Sequence, residues 1–255
     1  MKKPKIVASI EARMSSSRLP GKTLKEIYGK PTIEWVVKRL KKCQTLDDIV
    51  IATSTSSSDD ILVDWCIENK IKCFRGSEED VLGRVVGAHE ELNSEIIVEI
   101  TGDCPLTDPT IVDLGVNTFL SNNCDYLTNC DIPSFPQGIC VQVFRLKDLK
   151  LIEQQHKDPA VREHVSLPFY ESKDKYTNIN LLAPSIWHLP SYCRTQLDYP
   201  DDLTFLRKIC SKLVPKYGYY FNLTNLVELL KDEPETANKV KIITAITVEN
   251  VNDVK

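Results

Sequence analysis

Short runs of β-branched residues alternate with longer amphipathic segments in the first half of the chain, and this alternation restricts the possible folds most strongly. Four runs have the length and composition of buried strands, namely residues 5–10, 48–53, 71–74 and 95–101. Apolar residues recur at helical spacing in the segments that begin near Pro31, Ser57, Ser77 and Pro109. Because right-handed crossovers place each helix over the sheet, the sequence predicts an α/β fold with a mostly parallel sheet flanked by helices.

Polar residues before two of these segments predict where the helices begin. Ser57 or Ser58 can cap one helix, because a serine hydroxyl accepts a hydrogen bond from a backbone N–H group that lacks a partner inside the helix. Ser77, followed three residues later by Asp80, resembles a capping box that opens a helix to about Leu92.

The second half of the chain is less regular. Residues 125–129 and 138–144 have strand patterns, and we expect the second of these to pair with residues 177–182. Helical patterns cover residues 159–170, 201–213 and 223–230, whereas patterning after Pro234 is weak. The chain is therefore expected to form one domain over residues 1–255, with a smaller strand extension within residues 125–185.

Charge and composition exclude several classes of function. The formal net charge is −4 and the pI is near 5.7, whereas proteins that bind nucleic acid non-specifically usually have a basic surface. No stretch of about 18 consecutive apolar residues occurs, and the apolar run before Glu11 is too short for a signal peptide. The sequence therefore predicts neither a nucleic-acid partner nor a membrane partner.

The nine cysteines have irregular spacing and form no C-x-x-C pair, which argues against a zinc ribbon or a thioredoxin-type motif. Several lie in apolar periodic segments, including Cys43, Cys66 and Cys210, where a free thiol packs as a small core residue. We therefore expect reduced, structural cysteines and a cytoplasmic protein.

The loop after the first predicted strand carries an unusual concentration of groups that bind phosphate. Residues 10–22 read I-E-A-R-M-S-S-S-R-L-P-G-K. Arg13 and Arg18 can present forks of donors to phosphate, Lys22 supplies a point charge, and Gly21 lets the backbone approach an anion. The loop matches neither the Walker A motif nor G-x-G-x-x-G, so a solvated polar loop is the alternative reading. Ligands of α/β folds bind beyond the carboxyl ends of the strands, which favours a phosphate site.

Several ordered motifs give the chain a family resemblance. R-M-S-S-S-R-L-P-G-K-T-L and T-G-D-C-P-L are followed by R-E-H-V and L-D-Y-P-D-D-L, and F-R-G-S-E-E-D-V-L lies between the first two. Together they resemble the cytidylyltransferases that activate acidic sugars, such as CMP-Kdo and CMP-sialate synthetases and, most closely, the SpsF-like branch of spore coat polysaccharide biosynthesis. The similarity runs from about residue 5 to residue 210. It implies a Rossmann-like nucleotidyltransferase fold, CTP and a small sugar acceptor as substrates, Mg²⁺ as cofactor, and a homodimer.

The resemblance also implies roles for individual residues. In the nucleotide site it places Ala12, Arg13, Ser15, Ser16, Ser17, Arg18, Gly21, Lys22 and Arg75, with Arg13 and Lys22 as the catalytic cations. Asp103 and Asp198 correspond to the metal-binding aspartates of the family. A helix cap or a turn is the alternative role for each aspartate, and Asp201 and Asp202 are expected to cap the helix after Pro200.

The acceptor site is expected in the second half of the chain, within the extension at residues 125–185, which is also the expected dimer contact. Its candidate residues are Gln137, Gln142, Arg162 and His164. Consecutive helical residues face different directions, so a surface ion pair and a structural histidine are the alternatives for the last two. Relatives usually read G-L-D-V-E-V-F where this chain has G-I-C-V-Q-V-F, so Cys140 and Gln142 replace two carboxylates. This departure leads to the hypothesis that the acceptor differs from that of the relatives.

The implied reaction is attack by an acceptor oxygen on the α-phosphorus of CTP, with release of pyrophosphate, in surface polysaccharide or glycan biosynthesis. Two alternatives stay open at this stage. The first is a pyrophosphorylase that joins another nucleotide to a sugar phosphate or a phospho-alcohol, since the base preference is carried by the resemblance alone. The second is a non-catalytic nucleotide-binding homologue.

Overall fold

A seven-stranded sheet with helices on both faces forms the centre of the computed structural model, which describes residues 3–172, 174–189 and 193–237. In chain order the strands are β1 (Ile6–Glu11), β2 (Glu26–Ile27), β3 (Lys30–Pro31), β4 (Asp48–Ser54), β5 (Lys72–Gly76), β6 (Ile96–Thr101), β7 (Tyr126–Thr128), β8 (Gln142–Arg145) and β9 (Asn178–Asn180). The helices are α1 (Thr32–Leu40), α2 (Asp60–Glu68), α3 (Val81–Glu91), α4 (Pro109–Ser121), α5 (Leu146–Gln155), α6 (Pro159–Glu163), α7 (Leu167–Glu171), α8 (Pro200–Tyr217) and α9 (Leu223–Asp232).

The strand order of the main sheet is β5-β4-β1-β6-β8-β7-β9, and β2 pairs with β3 in a separate hairpin. β5, β4, β1 and β6 run parallel, with Ser9 of β1 in register with Val50 on one side and Glu99 on the other. β8 is antiparallel to both of its neighbours, whereas β7 and β9 are parallel to each other. The predicted fold class is confirmed.

Alternation along each strand divides the core into two layers. Ile6, Ala8 and Ile10 pack in one apolar cluster with residues of α1, α4 and α8. Val7 packs on the other face, in a second cluster with residues of α3, α5 and α7. Ser9 continues the row of Val7, so this second row becomes polar towards the carboxyl end of β1.

The strands of the second half differ from the prediction in length and partner. Residues 138–144 were expected to form a strand, but regular pairing begins only at Gln142. Gly138 has φ +95°, and a Cβ atom there would lie 2.4 Å from the backbone nitrogen of Gln196, so close contact with another loop displaces this segment from the sheet. The expected pairing of residues 138–144 with residues 177–182 is wrong, because β9 pairs with β7 on the side away from β8.

Two helix predictions also need correction. Residues 159–170 were expected to be one helix, but α6 ends where His164 adopts an extended backbone, and α7 begins anew beside Pro168. Ser77 does not cap α3; Asp80 is the N-cap residue, and its carboxylate accepts a hydrogen bond from the Gly83 N–H group at 2.9 Å. No side-chain cap bond stabilises the start of α2, so neither Ser57 nor Ser58 has the predicted role.

The expectation that every cysteine is reduced is wrong for one pair. Cys130 follows β7 and Cys140 precedes β8, and the pairing of these strands brings the two Cα atoms within 5.9 Å, where a disulfide joins the residues. Cys43, Cys66 and Cys210 are buried free thiols, as predicted. The weakly patterned tail beyond residue 237 lies outside the described residues. Within the described chain, no helix is both long enough and apolar enough to span a membrane.

Candidate active site

Lys22 joins the loops that follow β1 and β6. Its ammonium nitrogen donates hydrogen bonds to Asp103 Oδ2 at 2.8 Å and to Asp198 Oδ1 at 2.9 Å. Asp103 follows β6, whereas Asp198 comes directly before α8. The Lys22 and Asp198 side chains are 17% and 2% exposed, so this cation bridges two carboxylates in a largely dry pocket.

The electrostatics of this bridge favour the charged forms of Lys22 and Asp103. Burial raises the pKa of Asp103, but the charge and hydrogen bond of Lys22 outweigh it, and the pKa falls below its ordinary value. Burial lowers the pKa of Lys22, but Asp103 and Asp198 outweigh it, and the pKa rises. The site is therefore built from opposed formal charges that stabilise one another.

Arg18 adds a second cation beside Asp198. Its guanidinium donates to Asp198 Oδ1 at 2.8 Å and lies over the Tyr199 ring, 5.1 Å from the ring centroid. Asp202 holds this segment in place, because its Oδ2 accepts hydrogen bonds from the N–H groups of Asp198 and Tyr199 at 2.9 and 2.8 Å. The bond to the Tyr199 N–H group completes a capping box at the start of α8, so the capping role predicted for Asp202 is confirmed.

The buried carboxylate of Asp59, which the sequence patterns did not indicate, holds the backbone of the loop at residues 10–22, the phosphate-type loop. Asp59 Oδ1 accepts a hydrogen bond from the Met14 N–H group at 2.7 Å, while Oδ2 accepts from the Thr53 and Ser54 hydroxyls at 2.9 and 2.5 Å. Burial raises the pKa of Asp59, but these hydrogen bonds outweigh it and hold the pKa below its ordinary value. The position of Asp59 shortly after β4 could have indicated this contact, because β4 is the parallel neighbour of β1 and the two strands end at the same edge.

The remaining loop residues predicted for the nucleotide site lie at the same edge. Ala12 is buried, and a Cβ atom on Gly102 would lie 2.9 Å from its Cβ atom, so the loops after β1 and β6 touch. Gly21 has φ +70°, which lets the chain turn into Lys22. Four further side chains lie along the loop. Arg13 lies 4.0 Å from Glu78, Ser15 donates to Glu78 at 2.5 Å, Ser16 accepts from the Leu19 N–H group, and Ser17 is exposed.

Arg75 lies farther along the sheet edge. Its guanidinium donates to the carbonyl oxygens of Ser54 and Ser56 at 2.9 and 2.8 Å and pairs with Asp60 at 2.7 Å. These contacts tie Arg75 to the loop after β4 rather than to Lys22. Its role in nucleotide binding stays a prediction.

Gln137 is connected to the Lys22 bridge through a residue that the sequence analysis missed. The Gln137 amide donates to Gln196 Oε1 at 3.2 Å, and the Gln196 amide donates to Asp103 Oδ2 at 3.3 Å. Among the described residues, Gln137 Oε1 is buried without a hydrogen-bond partner. Local sequence gave no signal for Gln196, because its contact depends on two distant segments meeting.

The other three acceptor candidates do not meet in one cluster. Gln142 Oε1 accepts hydrogen bonds from the Tyr126 and Ser166 hydroxyls at 2.5 and 2.7 Å, on the face covered by α3. Arg162 instead pairs with Asp80 and with Glu153, so its observed contacts are those of the ion-pair alternative. His164 is half-buried beyond the end of α6, and burial lowers its pKa while Glu163 opposes this shift.

The two carboxylates of the bridge are candidate ligands for a metal ion. Within the described part of the chain, no group of three or more metal-ligating side chains occurs. One ammonium group already contacts both Asp103 and Asp198, so the two carboxylates are close enough for a single cation to bind both. A site with so few protein ligands suits Mg²⁺, which usually keeps waters and nucleotide phosphates in its other positions.

Comparison with known proteins decides the family. Residues 7–214 match the sequence profile of the cytidylyltransferases. The chain belongs to the cytidylyltransferase family. It is 36% identical to the uncharacterized protein MJ1063 of Methanocaldococcus jannaschii, over 92% of this chain and 93% of that protein. It is 31% identical to the spore coat polysaccharide biosynthesis protein SpsF of Bacillus subtilis, over 92% of this chain and 97% of SpsF.

A solved cytidylyltransferase from Leptospira borgpetersenii has a similar architecture. The TM-score is 0.87 at 29% sequence identity, and the superposition covers 94% of this chain and all of that one. The matched segment, residues 7–214, includes Lys22, Asp103 and Asp198, the three residues of the bridge. The family resemblance predicted from the sequence motifs is therefore confirmed.

Proposed function

We propose that this cytidylyltransferase transfers the cytidylyl group of CTP to a sugar, with release of pyrophosphate, in the synthesis of a surface polysaccharide or glycan. The observation that carries the proposal is the Lys22 bridge to Asp103 and Asp198, located where the loops after β1 and β6 meet. The similarity to SpsF, a spore coat polysaccharide biosynthesis protein, supports a sugar acceptor. The sequence motifs favour an acidic sugar.

The cations of the loop would hold the triphosphate. Lys22 and Arg13 would contact the β- and γ-phosphates and offset the charge that develops on the leaving pyrophosphate, while Arg18 and the three serines contact other phosphate oxygens. Mg²⁺, bound by Asp103 and Asp198, would supply further charge neutralisation at the phosphates. Asp59 keeps the Met14 N–H group, and with it the loop backbone, in one position before the nucleotide binds.

This assignment needs no covalent intermediate on the protein. Nucleotidyl transfer is accelerated mainly by aligning the acceptor oxygen with the α-phosphorus and by stabilising charge, so cationic side chains matter more than a nucleophile. Removing one principal charge contact of this kind costs about 3 kcal/mol of transition-state stabilisation, or roughly a hundredfold in rate.

The acceptor would bind near Gln137 and Gln142, with Arg162 and His164 as further candidates from the family resemblance. Gln137 is the candidate that the hydrogen-bond chain through Gln196 connects to Asp103. The homodimer and the cytoplasmic location stay predictions from the sequence.

Release of pyrophosphate tests the proposal directly. The protein would be incubated with Mg²⁺, each of the four nucleoside triphosphates and a panel of acidic sugars, with wild type compared against Lys22→Met. Lys25→Met is the matched control, because Lys25 lies three residues later and makes no ion pair among the described residues. We expect CTP-dependent release that falls about a hundredfold in Lys22→Met and stays unchanged in the control.

Other outcomes identify the alternatives. Pyrophosphate release with a different nucleotide would show a pyrophosphorylase of another specificity. Binding of CTP without release for any acceptor would indicate a non-catalytic homologue. Full activity of Lys22→Met would contradict the role given to the bridge.

A further inference from the structure

A polar row crosses the α3-covered face of the sheet near the carboxyl ends of the central strands. Ser9, Glu99 and Gln142 are in register on β1, β6 and β8, so their side chains point to the same face. Glu11 lies two residues beyond Ser9 on that face, and the Ser9 hydroxyl donates to Glu11 Oε1 at 3.4 Å. Deeper on the same face the row is apolar and begins with Val7. The carboxylates of Glu11 and Glu99 therefore lie next to the apolar part of this face.

Glu99 is the unusual member of this row. The residue is 5% exposed, and its Oε2 atom has no hydrogen-bond partner among the residues that the structure describes. Burial raises the pKa of Glu99 to about 7, and no described cation opposes the rise. A carboxylate that is buried without a charged partner is costly, so such a group commonly serves a ligand.

The charges around Glu99 do not balance. Burial, followed by the charge of Glu99, raises the pKa of Glu11, whereas Arg84 is the cation that lowers it. The Arg84 guanidinium is buried, donates to the Ser77 carbonyl oxygen at 2.7 Å, and leaves its Nε atom without a partner among the described residues. Arg84 is thus a cation close to Glu11, whereas no described cation acts on buried Glu99. The row can therefore accept one further positive charge.

The row is close to the proposed nucleotide site and is partly exposed at two of its members. Glu11 and Gln142 are the partly exposed residues, on either side of buried Glu99. Gln142 Oε1 already accepts two hydroxyl hydrogen bonds, which fixes the orientation of the amide. Glu11 is the last residue of β1, at the start of the loop that leads to Lys22, and Glu99 lies four residues before Asp103. A molecule in contact with Glu99 would therefore lie beside the nucleotide.

We propose that Glu99, with Glu11 and Gln142 beside it, forms an acceptor subsite that binds a protonated amino group. An ammonium group supplies this further positive charge and donates to the unpartnered Glu99 Oε2 atom. The acceptor class is then an amino sugar, and any carboxylate on it must face away from this row because two carboxylates would repel it. This inference rests on the proposed function, since it deepens the acceptor site of the same reaction.

The test compares amino sugars with their neutral counterparts. Binding of glucosamine, galactosamine and mannosamine would be measured by NMR titration near neutral pH with CTP and Mg²⁺ present, alongside their N-acetyl derivatives and the parent hexoses. We expect at least one amine to bind about ten- to a hundredfold more tightly than both counterparts, the ratio that one charge-assisted hydrogen bond gives. Glu99→Gln should abolish this preference, because it keeps the shape of the side chain and removes its charge.

Two further variants make the test specific. Glu91→Gln, on the exposed surface of α3, should leave the preference unchanged. Gln142→Glu adds a negative charge to the row and should strengthen the preference, so it tests the inference even if Glu99→Gln does not fold.

Each remaining outcome has a defined meaning. Equal binding of amines, acetylated sugars and hexoses overturns the subsite, as does binding of none of them or an unchanged preference in Glu99→Gln. Calorimetry of CTP binding on the same samples separates the two proposals. Intact CTP binding without amine preference refutes only the subsite, whereas absent CTP binding refutes the proposed function.

Discussion

Replacing Lys22 with methionine tests whether the ammonium group holds the free site together. Methionine keeps most of the aliphatic length and removes the charge, which leaves Asp103 and Asp198 facing each other with side-chain exposures of 14% and 2%. At an effective dielectric constant of about 20, each of these contacts near 3 Å corresponds to roughly 6 kcal/mol of Coulomb energy before desolvation. Breaking a buried pair costs about 3–5 kcal/mol after desolvation is included.

Arg18 and Arg194 reduce the expected loss. They lie 2.8 and 3.7 Å from the Asp198 carboxylate and continue to neutralise it in the variant. We therefore expect the free energy of unfolding to fall by about 3 kcal/mol, the lower end of that range. For a chain of this size, such a loss lowers Tm by roughly 6–12 °C.

Circular dichroism melts with and without Mg²⁺ measure both parts of this expectation. Mg²⁺ should raise Tm more in Lys22→Met than in wild type, because in wild type the cation must compete with the ammonium group for both carboxylates. Lys25→Met serves again as the control. A Tm within about 2 °C of wild type would refute the buried-bridge reasoning, and equal stabilisation of both proteins by Mg²⁺ would refute the shared metal site.

Three further expectations concern groups outside the bridge. The pKa of buried His89 is lowered to about 3 from 6.5, so His89 favours the folded state fully above pH 6.5 and this contribution is lost as the pH falls. The free energy of unfolding from urea titrations should decline by up to about 1.4 kcal/mol per pH unit more in wild type than in His89→Leu, and parallel profiles would contradict this. Asp59→Asn should lower the free energy of unfolding by about 2 kcal/mol and weaken CTP binding in calorimetry, because an amide cannot accept all the hydrogen bonds from Met14, Thr53 and Ser54. Asp64→Asn, at an exposed position, should change neither quantity. Reducing the Cys130–Cys140 disulfide should lower the free energy of unfolding by about 3 kcal/mol and make two additional thiols available for titration. The stability of Cys140→Ser should not change with reductant. An unchanged number of thiols after reduction would disprove the bond.

The features that the sequence predicted well are those that local pattern determines. Runs such as residues 48–53 and 95–101 combine β-branched composition with flanking helical periodicity, and each is a central strand of the sheet. The sequence also predicted that ligands bind beyond the carboxyl ends of the parallel strands, and the loops of Lys22 and Asp103 lie at that edge. The ion pair between the two residues was not predicted, because it depends on β1 and β6 being neighbours in the sheet.

The features that the sequence did not predict depend on contacts between distant segments. Nothing near residues 138–144 shows that β8 inserts between β6 and β7, or that Gly138 packs against the backbone of Gln196. The disulfide follows from the same insertion, because it joins the ends of two strands whose pairing was not foreseen. Glu99 interrupts an otherwise apolar run, and only its register with Gln142 shows that it belongs to a polar row.

The charge balance of the site without ligands determines how the binding of CTP affects the binding of Mg²⁺. Lys22 and Arg18 offset Asp103 and Asp198 before any ligand binds. A divalent cation alone would leave these side-chain cations without their partners, and a triphosphate alone would bring more negative charge to two carboxylates. If both were bound, Asp103 and Asp198 would hold the metal ion and Lys22 and Arg18 would be available to the phosphates, so each of these charges would have a partner. CTP and Mg²⁺ should therefore bind with positive coupling, and this coupling should shrink in Lys22→Met, where no ammonium group changes partners.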